Sequence, residues 1–309
     1  MENLIAVARQ VAVLFALIGV GAAARWTGIL KDAAAEGLVD LLVIVVTPCV
    51  IANSFVRPFE PSMAGGLAIA FAIAFAAHVA AIFLAKALIR KGAADTRCVL
   101  RMTVVFSNAG FMGIPLEQAI IGADGVFYGS AYIVAFNLFM WTWGLREMQG
   151  DRGGVGMRRI LVNPGTVGLA AGLPVFLLSI PLPAVVSAPL GHMADLNTPL
   201  AMIVIGYCLA GARFGRVLRM GSVYVATAIR LVLCPLLVIA ALYPLRASLD
   251  RNLMLAMVIA ASAPVAAMVS MFATKYRRDV DVSVAVVSGS TLLSVLTMPV
   301  VIALAMEIL

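Results

Sequence analysis

The chain has 309 residues, of which 63% are hydrophobic and only 12% charged. A mean hydropathy of +1.07 excludes an ordinary soluble domain, whose water-facing surface needs more charge. The net charge of +7 would suggest nucleic acid in a soluble protein. Here the basic residues sit in short segments between apolar runs, so membrane topology explains them and no nucleic-acid partner is expected. Cys49, Cys98, Cys208 and Cys234 form no CxxC pair and read as small hydrophobes, so neither a metal nor a cofactor is expected.

Apolar runs of about 20 residues, the length a helix needs to cross a bilayer in contact with lipid, recur from end to end. They predict ten spans, at residues 4–24, 38–56, 65–90, 98–119, 125–148, 160–181, 196–212, 220–245, 252–275 and 281–306. The short alternation of a transmembrane barrel is not seen. Almost no basic residue precedes the first run, which therefore reads as a span and not as a cleavable signal.

Loop charge sets the orientation. Loops after odd-numbered spans carry 17 of the 22 basic residues, among them Lys31, Arg90, Arg97, Arg101, Arg146, Arg213 and Arg278. The opposite side holds Arg57, Arg246 and Arg251; Arg9 lies in span 1 and Arg230 in span 8. The positive-inside rule makes the odd-to-even loops cytoplasmic and puts both termini outside.

The chain also repeats. Thr47-Pro48 in span 2 recurs as Thr198-Pro199 in span 7, an offset of 151 residues that carries spans 1–5 onto spans 6–10. The predicted organisation is a first five-helix repeat at 1–148, a basic cytoplasmic linker at 149–159 and a second repeat at 160–309. An odd number of spans per repeat inverts one half relative to the other, as in many secondary transporters.

Two spans carry interruptions at matching depth. Span 4 reads VVFSNAGFMGIPL, with Asn108, Gly110, Gly113 and Pro115 near its middle; span 9 reads IAASAPVAAMVS, with Ser262 and Pro264. Proline removes a backbone donor and crowds the carbonyl four residues back, while glycine lets the chain leave helical geometry. Freed amides at the start of each second half-helix favour an anion. Paired interrupted helices point to a transporter's binding site.

The stretches SNAGFMGIP, SAP, TPCVIANSF and NTPLAMIVIG resemble the auxin efflux carrier family, which includes plant auxin exporters and bacterial malonate and malate permeases. The resemblance runs over essentially the whole chain, and the span 4 motif is its most specific part. It implies an all-α membrane fold like those of sodium/proton antiporters and bile-acid transporters. Spans 1, 2, 6 and 7 would form a scaffold, spans 3–5 and 8–10 a moving transport unit, and spans 4 and 9 would cross at their breaks. It further implies a bacterial inner-membrane location, a carboxylate bound near the crossing and a homodimer through the scaffold.

Arg230 stands about ten residues into span 8, roughly 15 Å deep at the helical rise. A basic group at that depth is a functional candidate, as counter-ion of the substrate or as a support for carbonyl ends at the crossing. Asn108, Ser107, Ser262 and Asn137 are the polar candidates for substrate contact. Gly110, Gly113, Pro115 and Pro264 shape the breaks. Thr47, Pro48, Asn53, Thr198 and Pro199 form the scaffold motif. His78 reads as a buried structural histidine, and Ser288, Ser290 and Ser294 as small packing residues. Asp40 and Glu117 fall near helix ends, which leaves no mid-membrane acid and no identified coupling ion.

No HExxH, GxSxG or paired intramembrane aspartate supports an enzyme. The sequence thus predicts a transporter of a small organic anion, secondary active or driven by the membrane potential. A cation-coupled carrier of another solute is the alternative, and a channel a more distant one.

Overall fold

In the computed structural model, residues 2–150, 163–211 and 219–309 are described, and their regular structure is entirely helical. The predicted linker lies mostly outside the described residues, as do Arg213 and Arg216. Helix α1 spans Glu2–Trp26, α2 Asp32–Ser54, α3 Pro61–Leu88, α4 Ala94–Val105 and α5 Ile114–Ile120. Helix α6 runs over 123–149. Then follow α7 Pro164–Leu177, α8 Ala184–Ala210, α9 Gly221–Leu245, α10 Arg251–Ser262, α11 Ala267–Lys275 and α12 Val280–Ile308.

Among the described residues, six helices are long and apolar enough to cross a membrane: α1, α2, α3, α8, α9 and α12. The four other predicted spans fall short for local reasons. Spans 4 and 9 are each split into two short helices. Helix α7 has 14 residues, about 21 Å at the helical rise. Helix α6 mixes its apolar residues with Tyr128, Tyr132, Asn137 and two tryptophans.

Boundaries also move. Helix α8 begins at Ala184, well before the predicted 196, because Pro183 precedes its first turn and Pro189 is accommodated within it. Helix α7 starts on a capping box in which the Asn163 side chain accepts from the Thr166 N–H at 3.1 Å and the Asn163 N–H donates to Thr166 Oγ1 at 3.1 Å.

Three prolines leave the same mark. Pro48, Pro115 and Pro235 each follow a wide π-turn, at Leu42–Val46, Ala109–Gly113 and Ile229–Leu233. Widening the turn relieves the clash of the proline ring with the carbonyl four residues back, so the helix continues. Thr47 caps its turn by donating to the Leu42 carbonyl at 2.8 Å. The matching dipeptide, Thr198-Pro199, opens the second stretch of α8 after a turn at Leu196.

Two helix pairs pack backbone to backbone. Helix α1 lies along α8, and a Cβ on Gly21 would collide with the Ile203 carbonyl, one on Gly206 with the Ile18 carbonyl. Helix α2 lies along α7, where Gly168 sits under Pro48 and Ile51, and Gly172 under Ala52 and Phe55. Small residues at such contacts are how membrane helices gain packing without a hydrophobic drive between them. Phe55, Phe127 and Phe176 then join α2, α6 and α7, with ring centroids 4.9 Å apart for Phe55–Phe127 and 5.2 Å for Phe127–Phe176.

Candidate functional site

The two interrupted helices meet. After Val105 the chain leaves helical geometry through Phe106, Ser107 and Asn108 before the π-turn 109–113 and α5. After Ser262 it does the same through Ala263, Pro264, Val265 and Ala266 before α11. The two extended segments pair antiparallel at Ser107 and Val265. The Asn108 N–H donates to the Pro264 carbonyl at 2.7 Å, and the Ala266 N–H to the Phe106 carbonyl at 3.0 Å. A non-helical backbone inside a membrane must find its partners within the protein; here each break supplies the other's.

Side chains hold further groups of the two breaks, among them Cys234, whose thiol donates to the Val104 carbonyl at 3.7 Å. Ser290 of α12 accepts the Val265 N–H at 3.0 Å, a role the sequence reading missed by treating Ser290 as packing. Arg230, 2% exposed, donates from Nη1 to the carbonyls of Val104 at 3.0 Å and Val105 at 3.3 Å, and from Nη2 to that of Ala261. One guanidinium therefore satisfies the C-terminal ends of both α4 and α10, where the helix dipoles are negative. Arg230 itself lies in the π-turn 229–233, ahead of Pro235.

Ser107 and Ser262 are fully buried. Ser107 Oγ lies 3.4 Å from the Tyr132 hydroxyl. Ser262 Oγ donates back to its own helix, to the Ile259 carbonyl, at 2.9 Å. Asn108, 7% exposed, is different: its amide makes no side-chain hydrogen bond to any described residue. The π-turn that follows it packs against α8. The Asn137 amide donates to the Ile133 carbonyl at 2.9 Å and lies against Gly165 of α7. Gly113 faces Ala260 of α10, and Pro115 sits in the first turn of α5. Asn197 of α8 is buried, and its Nδ2 has no hydrogen-bond partner among the described residues. Asn53 is half-buried on α2.

Behind the crossing, between α3 and α9, a cavity of about 290 Å³ is lined by alanines of α3, by Leu237 and Val238 of α9, and by Tyr132 and Arg230 at its polar end. Asn108 and Ser262 do not line it. His78 of α3 is fully buried; its Nδ1–H donates to the Ala74 carbonyl at 2.8 Å and its ring stacks on Phe139 at 5.3 Å. Its Nε2 is buried without a hydrogen-bond partner among the described residues.

An all-helical membrane protein with two interrupted helices paired at their breaks has the architecture of a membrane transporter. A model of the membrane transport protein family matches residues 6–156 and 153–302. The chain belongs to this transporter family, which is of the auxin efflux carrier type and not a family of enzymes. A relative described as an uncharacterized transporter, from Methanothermobacter thermautotrophicus, is 27% identical over 203 residues, and the match covers 65% of this chain and 65% of that protein's length.

Proposed function

We propose that the protein is a secondary transporter that carries a small organic anion, a mono- or dicarboxylate or an indole acid, across the bacterial inner membrane by alternating access. In this reading ten spans form two inverted five-helix repeats joined by the basic linker, with both termini outside. Helices α1, α2, α7 and α8 form the scaffold through which two copies associate, and the rest form the transport unit. The helix pairing supports the repeat. Exchanging spans 1 and 2 with spans 6 and 7 turns the α1–α8 contact into the α2–α7 contact. The two segments of the family match also join at 153–156, within the linker.

The observation that carries the reading is the crossing itself. It leaves the first amides of the half-helix 109–120 facing the break with partial positive charge. Asn108 stands beside them with an uncommitted amide, able to donate to a carboxylate. Arg230 holds the crossing from behind and adds a full positive charge at depth, where charge is felt strongly. The anion sits on the Asn108 side, against α8, so movement of the transport unit along the scaffold carries the site across the bilayer. Ser107, Ser262 and Asn137 are placed as secondary contributors, since their hydrogens are directed to Tyr132 or to their own helices.

The test is transport by reconstituted protein with labelled malonate, malate and indole-3-acetate. Saturable uptake with counterflow of at least one of them is expected, with a loss of tenfold or more in Asn108→Ala. Non-saturating flux without counterflow would identify a channel, and wild-type uptake by Asn108→Ala would remove the site from the crossing.

A further inference from the structure

Glu117 is the one buried acidic residue among the described residues, 1% exposed. It lies on α5, immediately beyond the interruption of span 4. The sequence placed it near a helix end, where a carboxylate ordinarily reaches water. In the fold it turns inward instead. Its carboxyl fills a slot against Gly129 of α6, where a Cβ would overlap Oε1 and Oε2. Gly125, one turn earlier on α6, lies under the Glu117 backbone carbonyl, and Gly113 and Ala260 close the slot from the side of α10. Gly129 thus makes room for this carboxyl, and Gly125 lets the α5 backbone approach α6 closely. Yet both of its oxygens are buried without a hydrogen-bond partner among the described residues.

A buried acid that only stabilised the fold would be paired or hydrogen-bonded. Among the described residues this one makes no ion pair and no side-chain hydrogen bond. Four helices pack against α5: α1, α6, α8 and α10. On α6, Asp124 pairs with Arg57 at 2.6 Å and Glu147 with Arg101 at 2.9 Å; Arg146 is exposed, Tyr132 meets Ser107, and Tyr128 lies against Gly66 of α3. On α10, Arg251 donates to the Met306 carbonyl at 2.5 Å. On α1, Arg9 is exposed and Arg25 donates to Tyr207 of α8 at 3.2 Å; on α8, His192 and Asp195 are exposed. A bound metal cation would need several oxygen ligands, and Gly129, Gly113 and Ala260, which lie against the slot, bring no side-chain oxygen to it. A proton needs only the carboxyl.

We propose that Glu117 is the proton-binding site that couples anion movement to a proton gradient. The carboxylate takes one proton from water on one side of the membrane, travels with the transport unit as the neutral acid in its glycine slot, and returns that proton to water on the other side. The step forms one O–H bond and breaks one, with no other reactant. It rests on the transporter reading above and supplies the coupling ion that reading leaves open.

Two readouts test it on the full chain. The first is infrared difference spectroscopy of the substrate-free protein with ¹³C-labelled glutamate. A neutral-carboxyl stretch whose intensity follows pH is expected in the wild type and absent in Glu117→Gln. The second uses liposomes and whichever of malonate, malate and indole-3-acetate shows counterflow. A pH gradient is expected to raise wild-type uptake at least fivefold. Glu117→Gln is expected to keep counterflow within twofold and lose that stimulation, and a sodium gradient is expected to change neither protein. Full pH stimulation in Glu117→Gln, or sodium stimulation that the variant abolishes, overturns the proposal. If none of the three anions moves, the substrate reading fails on its own, and the infrared band still decides. Its absence from the wild type overturns the proton site, and this holds even if the variant does not fold.

Discussion

Replacing Arg230 by methionine keeps most of the side-chain volume and removes every donor. The guanidinium holds three carbonyls, those of Val104, Val105 and Ala261. A buried acceptor left without its donor costs about 1–3 kcal/mol. Water entering from the adjacent 290 Å³ cavity can recover part of this for one acceptor. A net loss of about 3–5 kcal/mol is therefore expected for the free protein. At about 2–4 °C per kcal/mol, this is a fall in Tm on the order of 10 °C. Arg230→Lys should recover only part of it, because one ammonium replaces two separate nitrogens that reach two different helix ends. The assay is thermal unfolding of purified protein in detergent without any anion, followed by intrinsic tryptophan fluorescence. If Arg230→Met unfolds at the wild-type temperature, the guanidinium does not hold the crossing together. A role confined to the anion would then be left, and the structural reasoning here would be wrong.

Ser290→Ala removes the acceptor of the Val265 N–H, and a loss of about 1–3 kcal/mol in the same thermal assay is expected. A neutral result would mean that the break of span 9 finds another partner. Gly206→Ala forces α1 and α8 apart at the Ile18 carbonyl. A destabilisation of about 1–3 kcal/mol is expected, as for overpacking elsewhere, with Gly21→Ala behaving alike. An unchanged Tm in both would show that the helices are not in backbone contact there. Asn108→Ala should leave the Tm of the free protein unchanged, because the amide it removes has no side-chain partner among the described residues. A large fall would reveal a structural bond and weaken its assignment to the anion.

Much of the architecture was legible because membrane helices announce themselves by length and apolarity, and interruptions by proline and glycine. The breaks at Asn108 and Pro264, the special status of Arg230 and the repeated Thr-Pro dipeptide were all visible in one sequence. What each break touches was not. The pairing of Phe106–Asn108 with Pro264–Ala266 joins segments more than 150 residues apart, and no local propensity encodes it. Ser290 looks like any small serine of a membrane helix until Val265 is placed beside it. Arg230 was read as a substrate ligand or a support for carbonyl ends, and its hydrogen bonds match the second role, which depth alone does not select. Glu117 misled for the opposite reason. Near a helix end, a carboxylate ordinarily reaches water, and only the fold shows that α5 turns this one onto Gly129. The early start of α8 falls in a proline-rich stretch, where Pro183 stands at the entry to the helix and Pro189 is a tolerated interior proline.

The central claim is that the crossing of the two interrupted helices holds the anion through Asn108. Its most direct test is the ligand-induced thermal shift of purified protein across a panel of carboxylates, with wild type and Asn108→Ala compared side by side. A ligand at about 100 times its Kd adds about 2.7 kcal/mol to the folded state. At least one carboxylate should therefore raise the wild-type Tm by several degrees and leave Asn108→Ala unmoved. Equal shifts in the two proteins would place the anion elsewhere and contradict the account.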